Sequence, residues 1–164
     1  MDFNANHLRM FLAFNQRNVI GEHDAFEALV HESGADRNKV KSFINIGLNN
    51  ESFETTQAAV LRNEPRNTHA ESNQISKAFN NLYPDLNLHC GFALTAMQLE
   101  GLILKKVLIA GARKGILALP VHDAVAVEFD HQNWAKDAME DAWKSVMSEF
   151  YPLASATVRI SFSS

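Results

Sequence analysis

Residues 117–129 read LALPVHDAVAVEF, two apolar segments on either side of a polar pair. Both halves are rich in residues that favour strands, and the second half alternates larger apolar residues with Ala and Glu. Between the halves stand His122 and Asp123, and Asp is common in turns because its side chain bonds the nearby backbone. We therefore predict a β-hairpin with His122 and Asp123 at its turn. Taken alone, the pair is either a plain polar turn or part of a site.

Helical periodicity dominates the remainder of the chain. We predict helices at residues 6–16, 21–33, 36–48, 51–62, 70–82, 92–110 and 130–150, and strands at residues 116–119, 125–129 and 156–162. The helix at 92–110 is apolar nearly all round, which predicts burial at the centre of the domain. This order predicts an α+β fold with a helical N-terminal half. Its small, mainly antiparallel sheet consists of the hairpin and a C-terminal strand, covered by helices on one side.

Length and composition fit one packed domain. The chain has 164 residues, 46% of them hydrophobic, and a net charge of −4, which argues against a strong grip on nucleic acid by charge alone. Cys90 is the only cysteine, so no internal disulfide forms, as expected in a reducing compartment. No signal peptide and no membrane span are predicted, and we expect a cytoplasmic protein.

The first residues carry a second motif. Residues 2–9 read DFNANHLR and lead into an apolar helix. They resemble motif A of the family A (DNA polymerase I-like) polymerases, D-Y-S-x-x-E-L-R, in which the aspartate binds metal. Asp2 matches that aspartate and Phe3 the aromatic residue. His7 replaces the glutamate that helps to exclude ribose in the DNA enzymes, so the sugar preference is open.

The predicted third helix is similar to motif B of the same family, R-x-x-x-K-x-x-x-[aromatic]-x-x-x-Y. Arg37, Lys41, Asn45 and Asn49 follow one another at intervals of four, which keeps them near one helix face. Arg37 and Lys41 match the residues that hold the triphosphate. Asn45 and Asn49 replace the aromatic residues that gate the nucleotide. A solvated basic helix face is the alternative interpretation.

Two further matches lie towards the C-terminus. Val121, His122 and Asp123 match the first three residues of motif C, V-H-D-E, in which the aspartate binds metal. Gln98 matches the glutamine of P-x-Q-G-x-A-A-D, which reaches the primer-template. Gln98 and Glu100 are alternatively polar interruptions of a core helix.

The resemblance runs from Asp2 to the end of the chain and implies a single palm/fingers-like domain from a short, divergent relative of phage or mobile-element type. Fingers-like helices would occupy residues 36–62, a polar, mobile or partner-facing connector 63–91, and a palm-like core with a palm-like sheet 92–164. The implied activity is two-metal nucleotidyl transfer to a nucleic-acid 3′ end. The implied partners are a primer-template, nucleoside triphosphates and a protein that supplies the missing polymerase segments, without a membrane.

The resemblance also implies the roles of individual residues. Asp2 and Asp123 would be catalytic and would hold two Mg²⁺ or Mn²⁺ ions, because phosphoryl transfer uses metal ions bridging carboxylates and phosphates. The nucleotide phosphates would be bound by Arg37 and Lys41, and the nucleotide or template would be contacted by Asn45, Asn49, Gln98 and His122. One alternative is a non-catalytic module that binds nucleic acid, nucleotide or protein. A weaker one is a metal-dependent nuclease or phosphohydrolase.

Overall fold

The computed structural model describes residues 2–3, 5–15, 17, 24–63, 66–151 and 160–161, the first and last pairs by their backbone. The predicted strand at 156–162 lies largely outside these residues, as do residue 16 of the first predicted helix and residues 21–23 of the second. Within them the chain is α+β, with a small antiparallel sheet, as predicted. The elements are β1 Asp2–Phe3, α1 Asn6–Phe14, α2 Glu27–Ser33, α3 Arg37–Asn49, α4 Phe53–Asn63, α5 His69–Leu82, α6 Ala93–Lys114, β2 Ala118–Val121, β3 Ala124–Val127, a 3₁₀ turn Phe129–His131, α7 Gln132–Phe150 and β4 Ile160–Ser161.

The chain divides into two compact units, one formed by residues 1–23 and 95–164 and the other by residues 24–94. We call them the sheet unit and the helical unit. The helical unit contains both the predicted fingers-like helices and the predicted connector. In that connector α5 packs against α2 and α4.

The sheet unit is built on four antiparallel strands in the order β2-β3-β1-β4. Strand β1 was not predicted from the sequence. It lies between the hairpin and β4. The chain turns from β1 into α1 at Ala5, whose φ of 53° is a left-handed conformation that is unusual for a residue other than Gly. Helix α7 packs against β3 and β4.

Helix α6 is not buried all round, so that expectation is wrong. One stripe is buried, comprising Ala96, Leu99, Ile103 and Val107. On other sides the helix is open, and Met97 is 59% exposed. Among the described residues, none of the helices has the length and apolar character that a membrane span needs.

Two helices of the helical unit, α3 and α5, begin with N-terminal capping residues. Asp36 caps α3, because its side chain accepts a hydrogen bond from the backbone N–H of Asn38 at 2.8 Å. Thr68 and Glu71 form a capping box at the start of α5, since each side chain bonds the backbone N–H of the other. The cap at Asp36 therefore fixes Arg37 as the first residue of α3.

Candidate functional site

The hairpin turn is where the sequence predicted it. Val121 of β2 pairs with Ala124 of β3, which leaves His122 and Asp123 as a two-residue loop. His122 has a φ of 56° and Asp123 does not share the positive sign, a combination that matches a type II′ turn. Gly normally takes the first position of that turn, and such backbone strain is frequent at functional sites. His122 is exposed and Asp123 is half-buried.

Asp2 lies in the strand next to this turn. Its backbone pairs with Ala124, the residue that directly follows Asp123. Paired Cα atoms in antiparallel strands are about 5.5 Å apart or closer and consecutive Cα atoms 3.8 Å, so the Cα atoms of Asp2 and Asp123 are within about 9 Å of each other. The strand order therefore brings the backbones of the two predicted metal-binding residues together.

A polar network lies beside the turn, and we call it the Asn6 network, formed by Asn6, His7, Glu100 and Trp143. The amide nitrogen of Asn6 donates to Oε1 of Glu100 at 2.8 Å, and its oxygen accepts from the indole N–H of Trp143 at 2.9 Å. Nε2 of His7 lies 3.1 Å from the same Oε1 of Glu100. Asn6 is 4% exposed and Trp143 1% exposed, so their hydrogen bond is shielded from water.

Electrostatics connect this network to the turn. The hydrogen bond to Glu100 raises the pKa of His7 above its usual value, burial opposes that shift, and the negative charges of Glu100 and Asp123 add to it. The negative charge of Asp123 in the turn therefore contributes to the raised pKa of His7 in the network. The sequence marked His7 only as a mismatch to motif A. One feature of the sequence pointed to Glu100, because it is a charged residue inside an apolar helix.

The predicted phosphate-binding residues lie in the helical unit. Arg37 forms an ion pair with Asp24, and its guanidinium carbon is 5.7 Å from the centre of the Phe26 ring. Arg37 thus already has an anionic and an aromatic partner. Lys41 is exposed and has no ion pair with the part of the chain that the structure describes.

The remaining predicted contacts are spread over both units. Asn45 is half-buried and Asn49 exposed, and the side chain of Asn49 donates to the backbone oxygen of Asn45 at 3.1 Å. All four motif B residues therefore lie on α3, as their spacing predicted. Gln98 is exposed on α6, in the sheet unit.

The metal prediction rests on the two aspartates. Carboxylate oxygens are the ligands that Mg²⁺ prefers, and Asp2 and Asp123 fit that preference by type. Among the described side chains, which do not include that of Asp2, no three His, Cys, Asp or Glu residues form a group that could hold a metal ion. Asp123 is therefore the predicted ligand whose surroundings the structure describes.

Comparison with known proteins adds no relative. No family model matches the chain, and neither a curated protein nor a solved structure matches it. The polymerase resemblance therefore depends on the motifs and on the strand pairing alone.

Proposed function

We propose that the chain is a nucleotidyltransferase-like domain that resembles the palm and fingers of a family A polymerase and transfers nucleotides to a nucleic-acid 3′ end. The observation that carries this proposal is the pairing of Asp2 with Ala124. Asp2 in β1 and Asp123 in the turn just before β3 are distant in sequence and are each predicted to hold metal, yet the strand pairing brings their backbones close together. A plain polar turn at His122 and Asp123 gives no reason for this coincidence.

Each predicted residue has a definite task under this proposal. Asp2 and Asp123 would hold two Mg²⁺ or Mn²⁺ ions, which would supply the positive charge that stabilises a phosphoryl group during transfer. Lys41 binds phosphate directly. Arg37 binds phosphate once the phosphate replaces Asp24 as its anionic partner. Asn45, Asn49, Gln98 and His122 contact nucleotide or template. The substrates are a primer-template and nucleoside triphosphates, and a protein partner contributes to binding the primer-template. The lone cysteine supports a cytoplasmic location.

The test is incorporation of labelled nucleotide on a primer-template with Mg²⁺ or Mn²⁺, using both deoxy- and ribonucleotides. Asp123→Asn keeps the shape of the side chain but removes its charge, and we expect it to lower incorporation at least about 100-fold. Asp130→Asn is the matched control, because Asp130 is an exposed acid in the 3₁₀ turn after the hairpin. Wild-type protein without incorporation under either metal would refute catalysis by the isolated chain.

Two observations favour the non-catalytic alternative. Arg37 is already paired with Asp24, and asparagines stand where the family has the aromatic residues that gate the nucleotide. A binding module would retain its affinity for nucleic acid or nucleotide in Asp123→Asn and lose it in the double variant Arg37→Ala/Lys41→Ala. Unchanged affinity in the double variant would remove the phosphate-binding role of α3. Release of nucleotides without synthesis in the incorporation assay would instead indicate the nuclease or phosphohydrolase.

A further inference from the structure

An open groove runs between α6 and α7 in the sheet unit. It encloses about 550 Å³ and has small side chains at its base, Ala110, Ala138 and Ala142. The indole of Trp134 also borders it, where the absence of a side chain at Gly111 leaves room for the ring. Small residues allow another surface to come close to the two helices.

The two walls of the groove carry opposite charges. On the α6 side lie Lys106 and Lys114, and on the α7 side Asp137 and Asp141. Eight residues separate the lysines and four separate the aspartates, which correspond to about 12 Å and about 6 Å along the helices. Within the described residues, Lys114 and the two aspartates make no ion pair. One wall is therefore cationic and the other anionic.

The contacts between α6 and α7 show which of their residues lie side by side along the length of the groove. Nζ of Lys106 donates to the hydroxyl of Ser145 at 2.9 Å and lies 4.0 Å from Oε2 of Glu149. At the other end, Trp134 of α7 lies against Gly111 of α6. The helices thus run antiparallel, with Lys106 level with Ser145 and Lys114 near the level of Asp137.

From this pattern we propose that the groove docks a second copy of the chain about a twofold axis that runs along the groove. Rotation about that axis places α6 of one copy over α7 of the other. Each residue keeps its position along the length of the groove. Lys114 then faces Asp137 and Asp141 of the other copy, and Lys106 faces Ser145 and Glu149. The perpendicular axis in the same plane would place the lysines of the two copies opposite each other, which charge repulsion opposes.

Two further features fit a protein partner. Leu102 and Ile109 lie four residues before and three residues after Lys106 on α6, so they neighbour it on the helix surface, and they are 40% and 43% exposed. Docking would therefore bury apolar surface next to Lys106. Nucleic acid is a poorer occupant, because Asp137 and Asp141 would face its phosphates. The stretch of the two helices between Leu102 and Glu149 covers about 22 Å by about 20 Å, or roughly 900 Å² in both copies together. An interface of that size is typical of weak, transient association, so we expect a weak dimer.

The test is a charge swap followed by sedimentation velocity at concentrations up to about 200 µM. Lys106→Glu/Lys114→Glu makes both walls acidic, and Asp137→Lys/Asp141→Lys makes both walls basic. We expect each double variant to raise the dimer Kd at least about tenfold and an equimolar mixture of the two to restore dimers that contain one copy of each. Arg62→Glu/Lys77→Glu, which reverses two exposed charges in the helical unit, should dimerise like the wild type.

Far-UV circular dichroism will verify that each variant is folded. If a reversal unfolds the chain, the neutral pair Lys106→Gln/Lys114→Gln replaces it, with a smaller expected rise in Kd. A monomeric wild type over the whole concentration range overturns the proposal. So does a mixture of the two reversed variants that stays monomeric, because attraction between the restored walls is what the twofold arrangement requires.

Discussion

Replacing Asn6 with Ala should destabilise the sheet unit by about 2–4 kcal/mol. The indole N–H of Trp143 would lose its acceptor at 2.9 Å in a place that is closed to water, and an unsatisfied buried donor costs about 1–3 kcal/mol. Oε1 of Glu100 would lose a donor at 2.8 Å. We count that second loss at about 1 kcal/mol, because His7 remains 3.1 Å from the same oxygen.

Urea unfolding followed by tryptophan fluorescence measures this loss in the correct unit, because both tryptophans, Trp134 and Trp143, lie in the sheet unit. The control is Asn133→Ala, which removes an exposed amide from α7 in the same unit and should cost under about 0.5 kcal/mol. A loss below about 1 kcal/mol for Asn6→Ala would refute the reasoning.

A second variant separates the two bonds of Asn6. Asn6→Asp keeps an acceptor for Trp143 but places a second carboxylate beside that of Glu100. Its destabilisation should shrink as the pH falls from about 7 to about 5, because one of the two facing acids can then take up a proton. A penalty that does not depend on pH would show that repulsion between the two acids is not its source.

The remaining predictions concern His7 and two glycines. Because the bond to Glu100 raises the pKa of folded His7, the stability it contributes should be complete below the unfolded value of 6.5 and lost as the pH rises through the higher folded pKa. An NMR titration of the His7 ring should show this pKa fall in Glu100→Gln, and an unchanged value would contradict the assignment. Gly47→Ala should destabilise the chain by about 1–3 kcal/mol, because the new Cβ would lie 2.8 Å from Cδ2 and 2.9 Å from Cγ of buried Leu88. Gly101→Ala should instead stabilise the chain by about 0.5–1 kcal/mol, because nothing lies within 4 Å of the new Cβ and Ala favours the helix over Gly. Thermal unfolding followed by circular dichroism compares the two variants. If both change the stability equally, the contact with Leu88 is not what determines the effect at Gly47.

Local chemistry made the hairpin and most helices predictable. Alternation across β3 and a turn-forming Asp123 act within a few residues, and the spacing of four in α3 sets its residues on one helix. The capping box of Thr68 and Glu71 was an available signal for the start of α5, which the prediction at residue 70 did not use. Elements defined by local sequence were therefore placed to within about four residues, except for the start of α2, which lies at Glu27 and not near residue 21.

Long-range pairing was not predictable in the same way. Strand β1 has only two residues and is formed by its pairing with β3 and β4, which are distant in sequence. The partner of Arg37, Asp24, lies in the segment before α2, and helix spacing carries no information about it. The apolar surface of α6 predicted burial all round, but composition does not indicate how many neighbours a helix has.

The Asn6 network has a consequence for the proposed site. A two-residue strand has few backbone bonds to hold it, so the position of Asp2 beside Ala124 depends on what fixes the start of α1, three residues after β1 ends. Asn6 fixes that start by bonding both α6 and α7. If the domain is catalytic, Asn6→Ala should therefore reduce nucleotide incorporation even at temperatures where the variant is fully folded. Asn133→Ala, an exposed position on α7 outside the network, should leave incorporation per folded molecule at the wild-type level. Equal activity of folded Asn6→Ala and wild type would separate the network from the position of Asp2.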